Sequence, residues 1–277
     1  MKTGIIIPCY NEEKRLDVQA FIEFIQAHEN YHLCFVNDGS KDNTLEVLNS
    51  IRKNSPQRVS VVDVKKNAGK AAAVRSGARY LYNREDIEYI GFIDADLSTD
   101  FKDFKKLVDT LHNNDELTMV YGSRGKGNGT IERNPLRLLF SKIVKMFIFF
   151  ILGLSIEDTQ CGAKVFKRDI IPLAYQQAFL TRWLFDVEIF LRLKKYYGNH
   201  VMNKMHEQAL DRWVHVDDSK LGLKDALNIP LQLTQIFYQY NVVNSFAQPQ
   251  FAVNSGFNVN TATLIEMPVN TPQVIAA

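Results

Sequence analysis

The chain has 277 residues, 46% of them hydrophobic, which suits one large α/β domain or a domain with an appendage. Its 33 Lys and Arg against 31 Asp and Glu leave a net charge of +2, giving no global basis for nucleic-acid binding, so any charged partner must be met locally. Cys9, Cys34 and Cys161 form no C-x-x-C pair, which argues against a disulfide framework or structural zinc and fits a reduced, cytoplasmic compartment.

Strand-like runs at 4–9, 33–37, 59–64, 87–93 and 117–121 alternate with segments of helical spacing at 13–28, 42–54, 69–82 and 101–113. Repeated β-α units of this kind predict an α/β fold, a mostly parallel sheet flanked by helices. Polar clusters follow the first four strands: Tyr10-Asn11-Glu12, Asp38-Gly39-Ser40, Asn67-Ala68-Gly69-Lys70 and Asp94-Ala95-Asp96. In such sheets ligands gather at the strands' carboxyl ends, so the four clusters converge on one crevice. No glycine-rich dinucleotide fingerprint follows the first strand, and Gly69-Lys70-Ala71 lacks the remainder of a phosphate loop.

The acidic pair is the most informative of these clusters. Residues two apart in an extended chain point the same way, so Asp94 and Asp96 can share one cation, with Ala95 small enough to admit a ligand. A nucleoside diphosphate held through Mg²⁺ or Mn²⁺ fits that geometry. The glycine-rich run 122–129 reads as a loop carrying cations.

From Arg124 to Lys145 there are six basic residues (Arg124, Lys126, Arg133, Arg137, Lys142, Lys145) against Glu132, a local excess of +5. Arg137, Ser141 and Lys145 recur every four residues while Leu138, Leu139, Ile143, Phe147 and Phe150 fill other faces. The pattern predicts a basic amphipathic helix able to lie on an anionic membrane. The longest apolar stretch, 146–154, is far short of the ~20 residues that cross a bilayer, and the polar N-terminus does not read as a signal peptide. Peripheral contact with a membrane is expected, with a membrane-anchored partner as one source of an anchor.

The second half carries Thr159-Gln160-Cys161-Gly162-Ala163-Lys164-Val165-Phe166, then Arg182-Trp183-Leu184-Phe185-Asp186-Val187-Glu188 opening a helix to Tyr197. A strand-like 204–210 follows, and then a helix over 221–240 interrupted near Pro230. Beyond 240 the last 37 residues hold one charge, Glu266, and three prolines. The expected organisation is therefore a catalytic domain over 1–240 and a loosely docked, low-charge tail over 241–277.

These motifs resemble the inverting glycosyltransferases of family 2 with the GT-A (Rossmann-like) fold. The likeness is strongest to the polyprenyl-phosphate branch and, within it, to dolichyl-phosphate beta-glucosyltransferase-like proteins. Its carriers are residues 5–12, 36–44, 67–77 and 94–97, supported by 159–166 and 182–188. The resemblance implies a nucleotide-sugar site formed by Pro8, Tyr10, Asn11, Glu12, Asp38, Lys70, Asp94, Ala95 and Asp96. It also implies Mg²⁺ or Mn²⁺ on Asp94 and Asp96, and an acceptor phosphate gripped by Arg124 with Arg133 or Arg137. Gln160, Trp183 and Asp186 would shape the sugar pocket, and Asp96 and Arg124 would carry the chemistry.

The implied activity is transfer of a hexose, glucose first among the candidates, from a nucleotide sugar such as UDP-glucose to a polyprenyl or dolichyl phosphate at the cytosolic membrane face. A phosphate monoester with a second pKa of ~6 is already largely ionised and needs positioning rather than a base. Two alternatives stand beside this. One is a family 2 enzyme acting on a sugar hydroxyl in surface-polysaccharide synthesis, with Asp158 as base; the other is a nucleotide-sugar binding protein without catalysis.

Overall fold

Almost no residue is exposed in β1 (Thr3–Cys9) or β2 (Tyr31–Asp38), as expected of parallel strands covered on both faces. Strand alternation divides their side chains between two cores. Ile5, Ile7, Leu33 and Phe35 pack with residues of α1 (Val18–Ala27), α2 (Thr44–Asn54) and α4 (Phe101–His112). Ile6, Cys34 and Val36 pack with α3 (Lys70–Tyr82), α6 (Ile171–Tyr175) and α7 (Phe185–Tyr197). The computed structural model describes residues 1–124, 135–212, 228–243 and 273–275, with the backbone alone over 135–143 and 273–275.

β3 (Val59–Val64) pairs in parallel with β2, whereas β4 (Tyr89–Phe92) pairs in parallel with the other side of β1. The chain therefore leaves β1 in two directions, and the divergence opens a crevice at the carboxyl ends of these strands. The sheet is mostly parallel, as expected, with one antiparallel strand: β6 (Lys164–Lys167) runs antiparallel between β4 and β5 (Met119–Ser123), and β7 (Met205–Ala209) pairs in parallel with β5. Its order is β7-β5-β6-β4-β1-β2-β3-β8. The last strand, β8 (Gln273–Ile275), comes from the tail and pairs in parallel with β3, so this part of the expected loose segment is an edge strand.

Two boundaries differ from the expected ones for local reasons. α1 begins at Val18, five residues later than its apolar spacing suggests, because the Asp17 carboxylate caps it by accepting from Ala20 N–H at 3.0 Å. Residues 10–17 thus remain at the mouth of the crevice. Pro230 lies in the first turn of α8 (Ile229–Phe237), where its missing N–H has no helical partner to lose, so it opens the helix rather than interrupting it; 213–227 lie outside the described residues. α5 (Pro135–Leu152) packs against α8, and among the described residues no helix is long and apolar enough to cross a membrane.

Candidate active site

The loops after β1 and β2 are sewn together. Asn11 N–H donates to Ser40 Oγ at 3.0 Å, Asn11 Oδ1 accepts from Lys41 N–H at 2.8 Å, and Glu12 N–H donates to Thr44 Oγ1 at 2.7 Å. Asn11 takes φ +50°, a left-handed conformation that asparagine tolerates better than most residues. Pro8 and Tyr10 are partly buried at the same strand end.

Asp38, 2% exposed, is turned onto the loop after β3. Its carboxylate accepts from Ala68 N–H at 2.9 Å, Gly69 N–H at 2.8 Å and Asn67 Nδ2 at 3.1 Å. Burial raises its pKa, and these donors only partly restore the ionised form. Gly69 sits at φ +95°, and a Cβ there would lie 2.6 Å from Arg182 Nε. Arg182 lies across the start of α3: its carbonyl accepts from Ala71 N–H at 3.1 Å and its guanidinium bonds Asn67 Oδ1.

Asp94 and Asp96 occupy a turn rather than a continuing strand. Leu97 N–H donates to the Asp94 carbonyl at 3.1 Å, and Leu97 has φ +50°. Strand alternation therefore does not bring the two acids together; each instead meets a cation of its own. Lys70 Nζ is 2.5 Å from Asp94 Oδ1, and Arg15 Nη2 is 3.8 Å from Asp96 Oδ2, whose neighbour Oδ1 accepts from Ser98 N–H at 3.0 Å. Burial works against the Lys70 ammonium, but Asp94, then Asp186, and more weakly Asp96 outweigh it and raise its pKa.

Beneath this surface lies a second ion pair. Lys164 Nζ, with a fully buried side chain, is 2.6 Å from Asp186 Oδ1 and donates to the Cys161 carbonyl at 2.7 Å. Asp186 is 4% exposed, which places it under the cleft rather than open to it. Ala95, 6% exposed, is packed into the core beside the acids.

Among the described residues no three His, Cys, Asp or Glu side chains form a ready-made cation cluster. Two carboxylates at a strand end nevertheless suit a hard cation, since Mg²⁺ is usually held by one or two carboxylates together with substrate phosphates. The donor set fits a cation that arrives with a diphosphate.

The third cluster joins Arg124, at the end of β5, to Asp158. Nε donates to Oδ2 at 2.6 Å, Nη2 to Oδ1 at 2.7 Å and the backbone N–H to Oδ2 at 3.1 Å. Glu207 of β7 braces this loop by accepting from Glu157 and Asp158 N–H, each at 3.1 Å. Burial pushes the Asp158 carboxyl up, but the Arg124 guanidinium overrides it and leaves the group below its ordinary pKa.

A cavity of about 240 Å³ joins this cluster to apolar wall residues. Its polar lining is Arg124, Lys145, Glu157, Asp158, Thr159 and Gln160, and its apolar lining includes Val144, Ile148, Phe149 and Leu152 of α5 and Ile229 of α8. Gln160 Nε2 is buried there with no hydrogen-bond partner among the described residues. Arg133 lies outside the described residues, and for Arg137 only the backbone, in α5, is described. Trp183, partly buried, follows Arg182 on the loop before α7.

Arg15, Lys164 and Arg182 were not legible as site residues. Arg15 reads as part of a helix until the Asp17 cap is seen, and Lys164 is one residue of the run 159–166 with no assigned task until its partner in α7 is placed. Arg182 precedes Trp183 in a motif whose aromatic residue draws more notice.

The sequence profile of Glycosyl transferase family 2 matches residues 4–172. The chain belongs to this family. The family 2 glycosyltransferase is 32% identical over 239 residues to dolichyl-phosphate beta-glucosyltransferase of Drosophila melanogaster, covering 80% of this chain and 69% of that protein. The Homo sapiens protein of the same name is 30% identical over 233 residues, covering 79% and 69%.

Among solved structures, mannosyl-3-phosphoglycerate synthase from Rubrobacter xylanophilus superposes with a TM-score of 0.65 at 14% identity, covering 90% of this chain and 78% of that one. Glucosyl-3-phosphoglycerate synthase from Mycobacterium tuberculosis, in complex with Mn²⁺, UDP and glucosyl-3-phosphoglycerate, gives 0.63 at 15%, covering 86% and 79%. The glycosyltransferase thus has a GT-A-like fold.

Proposed function

We propose that this glycosyltransferase transfers a hexose, glucose foremost, from a nucleotide sugar such as UDP-glucose to a polyprenyl or dolichyl phosphate, with inversion at the anomeric carbon. The observation that carries the proposal is the cavity whose lining combines Arg124 with the apolar residues of α5 and α8. A charged head on an isoprenoid chain has the same two-part chemistry. The names of the relatives at 30–32% identity support the same acceptor and sugar.

In this reading the donor diphosphate sits over Asp94, Asp96 and Lys70, with its nucleoside toward Tyr10, Asn11, Glu12 and Asp38. A cation on Asp94 and Asp96 would neutralise charge that develops on the leaving diphosphate. Asp158 presents the Arg124 fork, and Arg124, with Arg133 or Arg137, holds the acceptor phosphate and offsets its repulsion from the donor. The attacking oxygen is already ionised, so no side chain has to remove a proton. Asp158 is a poor base for a sugar hydroxyl because both its oxygens are engaged by Arg124, which speaks against the polysaccharide alternative.

Membrane contact is proposed through the outer faces of α5 and α8, where Phe149, Phe150, Leu231 and Phe237 are exposed. The experiment is turnover by purified protein of UDP-glucose and polyprenyl phosphate with Mn²⁺. GDP- and dTDP-sugars serve as comparison donors and neutral against anionic liposomes as comparison surfaces. Glycolipid from UDP-glucose is expected; UDP-sugar binding with no product over long incubation would leave only a binding protein.

A further inference from the structure

The acids at the donor end of the cleft are already matched by protein cations. Lys70 Nζ holds Asp94 Oδ1 at 2.5 Å and Arg15 Nη2 stands 3.8 Å from Asp96 Oδ2, so each acid faces a protein cation before any ligand arrives, Arg15 being shared with Glu12, whose Oε2 is 3.8 Å from its Nε. Asp94 is also hemmed in from the other side, since a Cβ on Gly162 would lie 2.0 Å from its Oδ2. The carboxylate has little room to turn from the lysine toward a new partner.

The Lys70 ammonium lies close to a second ion pair. Its ammonium lies 5.8 Å from the centroid of the Phe92 ring, and the ammonium of Lys164 lies 5.3 Å from the same ring. Asp186, paired with Lys164, is thus a second acid beside the Lys70 side chain. A free divalent cation meeting this arrangement gains little from Asp94, because that carboxylate is already occupied by the Lys70 ammonium. A diphosphate changes the balance by bringing anionic oxygens that can take over the ammonium and release Asp94.

Resting on the reading of Asp94 and Asp96 as the seat of a donor-bound cation, we propose that Lys70 is an internal competitor for that cation. It occupies Asp94 in the nucleotide-free protein, excludes free Mg²⁺ or Mn²⁺, and makes metal and nucleotide sugar enter together. Lys70 is then a positioning residue for the order of binding as well as a contact to the donor.

The test is Mn²⁺ binding to the full chain, followed by the electron paramagnetic resonance signal of free Mn²⁺, with and without UDP and without any turnover. Wild-type protein should bind Mn²⁺ weakly alone and more tightly with UDP. Lys70→Met should tighten nucleotide-free binding by about tenfold or more, the effect expected of removing a unit charge a few Å from a divalent ion. Lys70→Arg, which keeps the charge, should stay near wild type. Lys70→Gln gives a second neutral variant should the methionine protein fail to fold.

Nucleotide-free affinity in both neutral variants no higher than wild type, with Asp94→Asn still weakening Mn²⁺ binding in the presence of UDP, overturns the competition while leaving the cation site standing. Asp94→Asn without effect on Mn²⁺ binding in the presence of UDP removes the cation site, and the proposal with it.

Discussion

Arg124 meets Asp158 side-on, through Nε and Nη2 at 2.6 and 2.7 Å, and the carboxylate is additionally bonded by the Arg124 backbone. The pair fixes the orientation of the cation that lines the proposed acceptor cavity, and it removes Asp158 from use as a base. Arg124→Ala is expected to lower kcat/KM for the lipid phosphate by about 10²-fold or more and to destabilise the fold by ~1–3 kcal/mol, since it strands a largely buried carboxylate. Asp158→Asn keeps one oxygen acceptor and should cost activity less than about tenfold. The reverse ranking, with Asp158→Asn inactive and Arg124→Ala near normal, would assign Asp158 as a base acting on a sugar hydroxyl.

Gly162 leaves no room for a methyl group beside Asp94, where the added Cβ would fall 2.0 Å from Oδ2. Gly162→Ala should displace the carboxylate and reduce turnover by about 10²-fold, an ångström-scale misplacement being enough for that. The melting temperature should change by only a few degrees, because the strain falls on a side chain at the cleft. Normal kcat in a folded Gly162→Ala protein would show that the position of Asp94 does not matter.

The buried pair of Lys164 and Asp186 gives a stability prediction in urea. Lys164→Met leaves Asp186, 4% exposed, without the cation it is bonded to and should cost ~3–5 kcal/mol. Replacing both, as Lys164→Met with Asp186→Leu, should recover most of that loss, because the desolvation cost goes with the charges. Equal loss in the single and double variants would mean that packing, not charge, is what the site needs.

His32 is completely buried between strands, with Nε2 2.9 Å from Ser60 Oγ, and burial, then the charges of Arg84 and Lys2, push its pKa from 6.5 down to about 3. Between those values the unfolded chain binds a proton that the folded one refuses. Its contribution to stability is thus present above about pH 6.5 and is lost as the pH falls toward 3, with a slope approaching ~1.4 kcal/mol per unit. His32→Gln should flatten the dependence between pH 6.5 and 4.5 in chemical denaturation. An unchanged slope would mean that other groups set the acid sensitivity.

The α/β alternation was legible because each strand is a short apolar run closed by a polar cluster, and the crevice followed from where those clusters fall. The mixed character of the sheet was not, because the pairing of β6 between β4 and β5 is a long-range choice that no local pattern encodes. Asp94, Asp96 and Lys70 were visible, but Arg15 and Lys164 were not: they stand far from the acids in sequence, and only the fold brings Arg15 to Asp96 and sets Lys164, paired with Asp186, beneath them. Asp158 was readable as a carboxylate near an acceptor, whereas its capture by Arg124, 34 residues earlier, needed coordinates.

The most direct measurement is the acceptor preference and the stereochemistry of the product. The enzyme, UDP-glucose and Mn²⁺ would be offered polyprenyl phosphate or the same polyprenol without its phosphate, and the linkage of any product read by NMR. A β-glucosyl phosphate formed only from the phosphorylated lipid is the expected result. Transfer to the free alcohol, or an α-linked product, would contradict it.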